Sequence, residues 1–250
     1  MVARFVFGDA REWRYIVDSL ATLIEEANFI MDPTGLRLRA LDPSRIAMVD
    51  FMLPSTAFEE YECDEETRIG VSFDDLNKIL KRGRADERLV FEVAEDRLRI
   101  KIIGKIERIF SLPLLDIGGE ELKRTPKVSF TARARMLSDT LYDAIKDATL
   151  VSDSVKFSAK PEEFIIYAAS DKGEINVRFT EEGGALIEYE VSEPAEAVYS
   201  LGYLNDILKK ANKVSDMVLV EFATNNPLSL TFDVVGEGKL TYFLAPRMEM

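Results

Sequence analysis

The hydrophobic pattern opens with alternation in Met1-Val2-Ala3-Arg4-Phe5-Val6-Phe7, which predicts a strand. A helical spacing then takes over. Trp13, Ile16, Val17, Leu20, Leu23 and Ile24 recur at three- and four-residue intervals, predicting a helix capped by Asp9 and running to about Leu23. Met136, Leu137, Leu141, Ile145 and Ala148 predict a counterpart over 135–148, and two shorter helices are expected over 73–82 and 204–213. Most of the remainder reads as strand: 36–41, 46–53, 88–93, 97–103 and 106–112, then 127–132, 155–159, 164–169, 175–180, 186–191, 217–222, 228–234 and 239–244. Arg97-Leu98-Arg99-Ile100-Lys101-Ile102 alternates so regularly that one of its faces must be buried and the other wet. The expected class is α+β, with helices packed on sheets.

The pattern also repeats. Leu76-Asn77-Lys78-Ile79-Leu80-Lys81 returns 128 positions later as Leu204-Asn205-Asp206-Ile207-Leu208-Lys209. The same offset sets Leu36-Arg37-Leu38-Arg39-Ala40 against Phe164-Ile165-Ile166-Tyr167-Ala168, each after a turn with a proline (Pro33, Pro161), and an offset of 130 pairs Leu89-Val90 with Leu219-Val220. Agreement at three places predicts two halves of one topology. The break falls at 117–127, where Gly118-Gly119, Glu120-Glu121 and Lys123-Arg124-Thr125-Pro126 interrupt regular structure. The expected domains are therefore 1–116 and 128–250, joined by a connector over 117–127.

With 250 residues, 47% of them hydrophobic, the chain can bury a full core. No apolar run approaches the roughly 20 residues that cross a bilayer, and the N-terminus lacks the pattern of a signal peptide. The expectation is a soluble, cytoplasmic protein. A charged fraction of 31%, with no His and no Gln, points toward a thermophilic source. Cys63 stands among Glu62, Asp64, Glu65 and Glu66, which disfavour a thiolate, so an inert thiol is expected.

A net charge of −13 opposes nucleic-acid binding unless the cations are gathered on one surface. The spacing gathers them. Lys78, Lys81 and Arg82 fall on one helical face, opposite Leu76, Ile79 and Leu80, and Lys209, Lys210 and Lys213 repeat the arrangement opposite Leu204, Ile207 and Leu208. Arg84 follows closely, and the long helices are expected to add Arg11, Arg14, Arg133, Arg135 and Lys146. An acidic body with one basic face suits weak contact with a nucleic-acid backbone, and no motif for reading bases is present.

Catalysis is disfavoured. Without His, Ser-His-Asp and Cys-His constellations are excluded. Gly236-Glu237-Gly238-Lys239-Leu240 lacks the Ser or Thr after Lys that a phosphate loop needs, and reads as a hairpin turn. Glu59-Glu60 and Asp64-Glu65-Glu66 lack an EF-hand pattern and read as solvated loop charge. No enzyme activity, metal or cofactor is expected.

Over essentially its whole length the chain resembles the proliferating cell nuclear antigen family of sliding clamps. The resemblance is carried by Leu41-Asp42-Pro43-Ser44-Arg45-Ile46-Ala47, by Asp75 to Lys81, by Tyr203 to Lys209, and by Tyr242-Phe243-Leu244-Ala245-Pro246-Arg247. It implies two similar domains per subunit and three subunits closing a ring around duplex DNA, with helices lining the hole and sheets outside. The ring would confer processivity on DNA polymerase. It would also tether polymerase, clamp loader, flap endonuclease and DNA ligase through short peptide motifs. The family's peptide pocket maps onto Leu41, Arg45, Ile46 and Met48, a connector residue (Ile117 or Leu122), Pro227, and Tyr242, Phe243, Leu244, Ala245 and Pro246. Subunits in such rings join by edge strands, which nominates Lys105, Glu107, Arg108, Ile109 and Phe110 on one side and Glu174, Ile175, Val177, Arg178 and Phe179 on the other. A homotrimer is expected first, and a heterotrimer with paralogues second. The rival reading is a diverged peptide-binding scaffold without a DNA role, against which the basic helix faces count.

Overall fold

The computed structural model describes residues 3–118 and 125–248. They fall into two units. The first gathers most of the chain up to 118 together with 234–240, and the second gathers 44–48 with most of the chain from 125 onward.

In the first unit, alternation at the N-terminus produces β1 (Ala3–Phe7), and Asp9 caps α1 (Ala10–Leu20) by accepting from the backbone N–H groups of Arg11 (2.8 Å) and Glu12 (3.1 Å). There follow β2 (Glu26–Asp32), β3 (Gly35–Leu41), β4 (Ala47–Pro54), β5 (Glu60–Cys63), β6 (Thr67–Ser72), α2 (Phe73–Leu80), β7 (Arg88–Ala94), β8 (Arg97–Ile103) and β9 (Glu107–Pro113). Hydrogen-bonded neighbours run β5-β1-β7-β8-β9 and β4-β3-β2-β6. Helix α1 packs on α2. Trp13, fully buried, stands among Phe5, Phe7, Phe29, Phe51, Phe58 and Phe91, at centroid distances of 5.3 to 6.4 Å.

The second unit has β10 (Ala132–Leu137), α3 (Ser138–Ala148), β11 (Ser154–Lys160), β12 (Glu163–Ser170), β13 (Gly173–Phe179), β14 (Glu188–Val191), β15 (Ala195–Ser200), α4 (Leu201–Ala211), β16 (Met217–Phe222), β17 (Leu228–Val234) and β18 (Gly238–Leu244). Its neighbours run β14-β10-β16-β17-β18 and β13-β12-β11-β15, the order of the first unit with each strand replaced by its counterpart. Helix α3 packs on α4. Phe157 centres this core, 5.2 Å from Phe164, 5.3 Å from Tyr199 and 5.9 Å from Phe222. The Tyr199 hydroxyl donates to the Asn226 carbonyl (2.8 Å), and burial pushes its ionisation above the ordinary phenol value. The repeat seen in the sequence is thus a repeat of topology.

Several expectations shift. The strand expected over 127–132 lies instead over Ala132–Leu137, and the helix after it starts at Ser138 rather than at 135. Ala132, Ala134 and Met136 are buried while Arg133 and Leu137 are exposed, a period of two that belongs to a strand. α4 begins three residues earlier than expected and ends at Ala211. Strands β2, β5, β6 and β15 were not expected. β5 alternates glutamates with half-buried residues, and β15 is built largely from small ones, so neither carries a β-branched or aromatic run. Gly236, at φ +71°, turns the chain into β18 as a hairpin residue would, and a side chain there would run into Ala57. The acidic runs near residue 60 are largely engaged: Glu59 and Glu60 pair with Arg88, Glu60 also with Arg4, and Glu66 with Arg37. Among the described residues no helix is long and apolar enough to cross a membrane.

Candidate functional site

The amphipathic helices set the first candidate surface. On α2, Phe73, Leu76, Asn77 and Leu80 are buried, so Lys78, Lys81 and Arg82 project outward, and Arg84 is exposed just beyond. Lys78 is held by Asp74 (2.6 Å) and Asp75 (3.2 Å); hydrogen bonds to these carboxylates raise its pKa, and they offset its charge. On α4, Leu201, Leu204, Ile207, Leu208 and Ala211 are buried, leaving Lys209 and Lys213 exposed and Lys210 half-buried. Arg11 on α1 is exposed with Asp9 at 3.6 Å, and Arg14 lies over the Tyr15 ring at 4.9 Å.

Two parts of the basic-face expectation fail. Arg133 and Arg135 do not lie on a helix. They project from β10 on the side away from its buried alanines, where Arg133 pairs with Glu221 (2.9 Å) and Arg135 with Glu188 (3.2 Å) and Asp233 (3.4 Å). Helix α3 offers one cation, Lys146, against exposed Asp139, Asp143 and Asp147. Those aspartates, spaced by four, were readable as one helical face, and attention to lysine and arginine alone passed over them. Asp139 accepts from Asn212 Nδ2 (3.0 Å).

The peptide-pocket residues divide by burial. In the second unit the Ala245 N–H donates to the Ile46 carbonyl (2.9 Å), bringing the C-terminal segment beside the 44–48 segment. Arg45 is exposed at φ +58°, and Ile46 is 41% exposed. Phe243, Ala245, Pro246 and Pro227 are half-buried. Met48, Tyr242 and Leu244 are core residues instead, with Tyr242 edge-on to Phe232 at 6.2 Å, so their side chains shape the backbone around them without lining a surface. In the first unit Leu41 is 36% exposed at the end of β3. The chain leaving β9 crosses β6 and β2: the Leu115 N–H donates to the Gly70 carbonyl (2.9 Å), and Asn28 Nδ2 donates to the Ile117 carbonyl (3.1 Å). Leu122 lies outside the described residues.

Strands β9 and β13 each end their run of neighbours. Ile109 is 56% exposed on β9, and Glu107 is exposed with half-buried Phe110 close by. Arg108, expected to offer charge at this edge, is used within its own unit: it pairs with buried Glu87 and donates to the Arg82 carbonyl (3.0 Å). On β13, Ile175 and Val177 are half-buried, Glu174 accepts from the Tyr167 hydroxyl (3.0 Å), and Arg178 pairs with Glu163 (2.5 Å). Phe179 is core, stacked on Phe164 at 5.5 Å, and does not belong to an edge surface.

Two units of one α+β topology, each with a pair of amphipathic helices backed by antiparallel strands, define the clamp class of fold. Family models described as proliferating cell nuclear antigen, N-terminal domain and C-terminal domain, match residues 3–108 and 124–247. The chain belongs to the proliferating cell nuclear antigen family. It is 54% identical to the DNA polymerase sliding clamp of Thermofilum pendens over 99% of this chain and all of that one. It is 48% identical to DNA polymerase sliding clamp 1 of Pyrobaculum aerophilum over 96% of both chains. Among solved structures, it superposes on proliferating cell nuclear antigen from Thermococcus kodakaraensis with a TM-score of 0.93 at 32% identity, covering 98% of this chain and all of the other. It matches a chain of the PCNA2–PCNA3 complex of Sulfolobus tokodaii with a TM-score of 0.90 at 30% identity over 98% of this chain and all of that one.

Proposed function

We propose that this chain is a DNA sliding clamp, a non-catalytic ring subunit that encircles duplex DNA and tethers DNA polymerase, with two domains, 1–116 and 128–250, joined by the connector 117–127. The observation that carries this reading is the likeness to a relative named DNA polymerase sliding clamp, at 54% identity over 99% of the chain. The exposed lysines and arginines of α1, α2 and α4 support it, since weak sequence-independent phosphate contact is what a sliding ring needs. Enclosure holds the ring on DNA, so the helices need only favour the backbone slightly over the acidic body around them.

Partner enzymes would dock short peptides against Arg45, Ile46, Phe243, Ala245, Pro246 and Pro227 of the second unit, whose side chains are exposed or half-buried. Leu41 and Ile117 of the first unit are the remaining contacts that the family resemblance implies. The expected clients are polymerase, clamp loader, flap endonuclease and ligase. Three copies would close the ring through β9 and β13, two edges that otherwise invite uncontrolled pairing. The test is solution mass by light scattering over a dilution series. Three times the chain's 28.3 kDa supports a homotrimer. A persistent monomer that gains mass on mixing with paralogues replaces it with a mixed ring, and one that assembles with none overturns the ring.

A further inference from the structure

Strand β9 is approached through the turn Gly104-Lys105-Ile106, whose side chains stand largely exposed. Ile106 is 66% exposed, more than any other aliphatic side chain on β9 or its turn, and Lys105 is exposed with no ion-pair partner among the described residues. Strand β13, also an end strand, runs into a pocket. Arg178 and Lys160 reach into this pocket, and both are taken up by Glu163, at 2.5 and 3.6 Å. Glu162, Glu181 and Glu182 on the rim are left exposed, with no cation of their own among the described residues. Pro161 adds an apolar wall. One of these end strands thus presents an unpaired cation beside a bare isoleucine, and the other presents unpaired carboxylates beside an apolar wall.

Every strand pairing recorded within the two units is antiparallel. If β9 of one copy continues the sheet at β13 of another in the same sense, the start of β9 falls beside the end of β13, and the turn arrives at the pocket. We propose that the Lys105-Ile106 turn of one copy seats in this pocket of the next, with Lys105 facing Glu181 and Glu182 and Ile106 covering Pro161. The proposal rests on the ring reading and adds to it the contact that fixes register: a strand pair slipped by one residue turns every side chain to the wrong face, and a charged turn in an oppositely charged pocket resists that slip.

The test compares wild type, Lys105→Glu, a Glu181→Lys and Glu182→Lys double variant, and the combination of all three, by sedimentation across a dilution series with circular dichroism as the check on folding. Reversing charge on either side alone should move the dissociation midpoint about tenfold or more toward higher concentration, and the combination should bring it most of the way back. An assembled wild type whose Lys105→Glu variant dissociates at the same concentration overturns the pocket contact and leaves the ring standing. Failure of the combined variant to recover would equally overturn it. A wild type that never assembles overturns the ring and this contact together.

Discussion

Gly70 on β6 and Val198 on β15 occupy equivalent positions of the two repeats, and each accepts a backbone hydrogen bond from the chain that has just left the last strand of its repeat. Leu115 donates to Gly70 (2.9 Å) and Arg247 to Val198 (2.7 Å). The shared pattern covers one edge strand in each unit, which is one way a fold with many strands limits unwanted pairing. The two sites differ at the acceptor. A Cβ at Gly70 would run into the Leu115 carbonyl oxygen and crowd Asn28 Oδ1, so the chain entering the connector approaches β6 closely because Gly70 has no side chain.

Gly70→Val should therefore push the 114–118 segment off β6. A loss of about 1–3 kcal/mol of stability is expected from overpacking, read as a lower midpoint in chemical denaturation. Affinity for a client peptide should fall as well, by calorimetry, because Ile117 would lose its anchor on Asn28. Unchanged values for both would mean that the connector entry does not depend on this close approach.

Arg108 and Glu87 make a second prediction. Glu87 is 7% exposed, caps the turn after α2 by accepting from the Arg84 N–H (3.0 Å), and pairs with Arg108 on β9. Arg108→Ala leaves a carboxylate in a poorly solvated place and should cost about 2–3 kcal/mol. Arg108→Ala with Glu87→Gln should recover part of that loss in a double-mutant cycle. An additive cycle would show that the two side chains do not depend on each other.

Much of this architecture was legible because period and element agree. The buried positions of α1 and the alternation of β8 stand where the sequence placed them, while on α2 Leu76 and Leu80 are buried as expected but Ile79 is half-buried and Asn77 takes a buried place. The 128-residue offset maps β3 onto β12 and α2 onto α4 at their first residues. The errors concentrate where short-range pattern is ambiguous. Leu137 and Leu141 share a helical spacing, but Leu137 closes a strand, because Ala132, Ala134 and Met136 alternate into the core while β10 pairs with β16. Burial was harder to read than secondary structure. Met48, Tyr242, Leu244 and Phe179 are apolar residues in segments assigned to surfaces, and no local signal tells an apolar residue that lines a groove from one that fills a core. Arg108 shows the same limit for charge, since its partner Glu87 lies 21 positions away on a different segment.

Acid should weaken both units through named carboxylates. Burial opposes ionisation of Asp32, but hydrogen bonds from Thr34 and the charge of Arg37 outweigh it and hold its pKa below the ordinary carboxylate value. In the second unit a hydrogen bond from Lys156 does the same for Glu196, with Ser158 adding to it. A depressed carboxyl contributes stability above its unfolded pKa, and that contribution disappears as pH falls through the folded value. Denaturation midpoints should be flat near neutrality and decline below about pH 4. Asp32→Asn and Glu196→Gln should each be less stable than wild type at pH 7 and converge on it in acid. A constant gap at all pH values would show that these carboxylates act through packing rather than through charge.

The helix charges give the prediction closest to function. Lys78, Lys81, Lys209 and Lys210 all reversed to glutamate should impair loading on primed circular DNA and polymerase stimulation while the solution mass stays that of wild type. The four are not equal. Lys78 already faces Asp74 and Asp75, so Lys78→Glu alone should do less than Lys81→Glu or Lys209→Glu, whose side chains are exposed without an ion pair among the described residues. Lys146→Glu should do least, because α3 exposes Asp139, Asp143 and Asp147 beside it and its outer face is acidic before the change. The salt dependence of loading should order the variants in the same way, with the steepest dependence kept by Lys146→Glu and the shallowest shown by the quadruple variant. A quadruple variant that stimulates polymerase like wild type would remove the basic helix faces from the account of how an acidic chain works on DNA. If Lys146→Glu had as large an effect as Lys81→Glu, α3 would have to face the DNA more directly than its aspartates suggest.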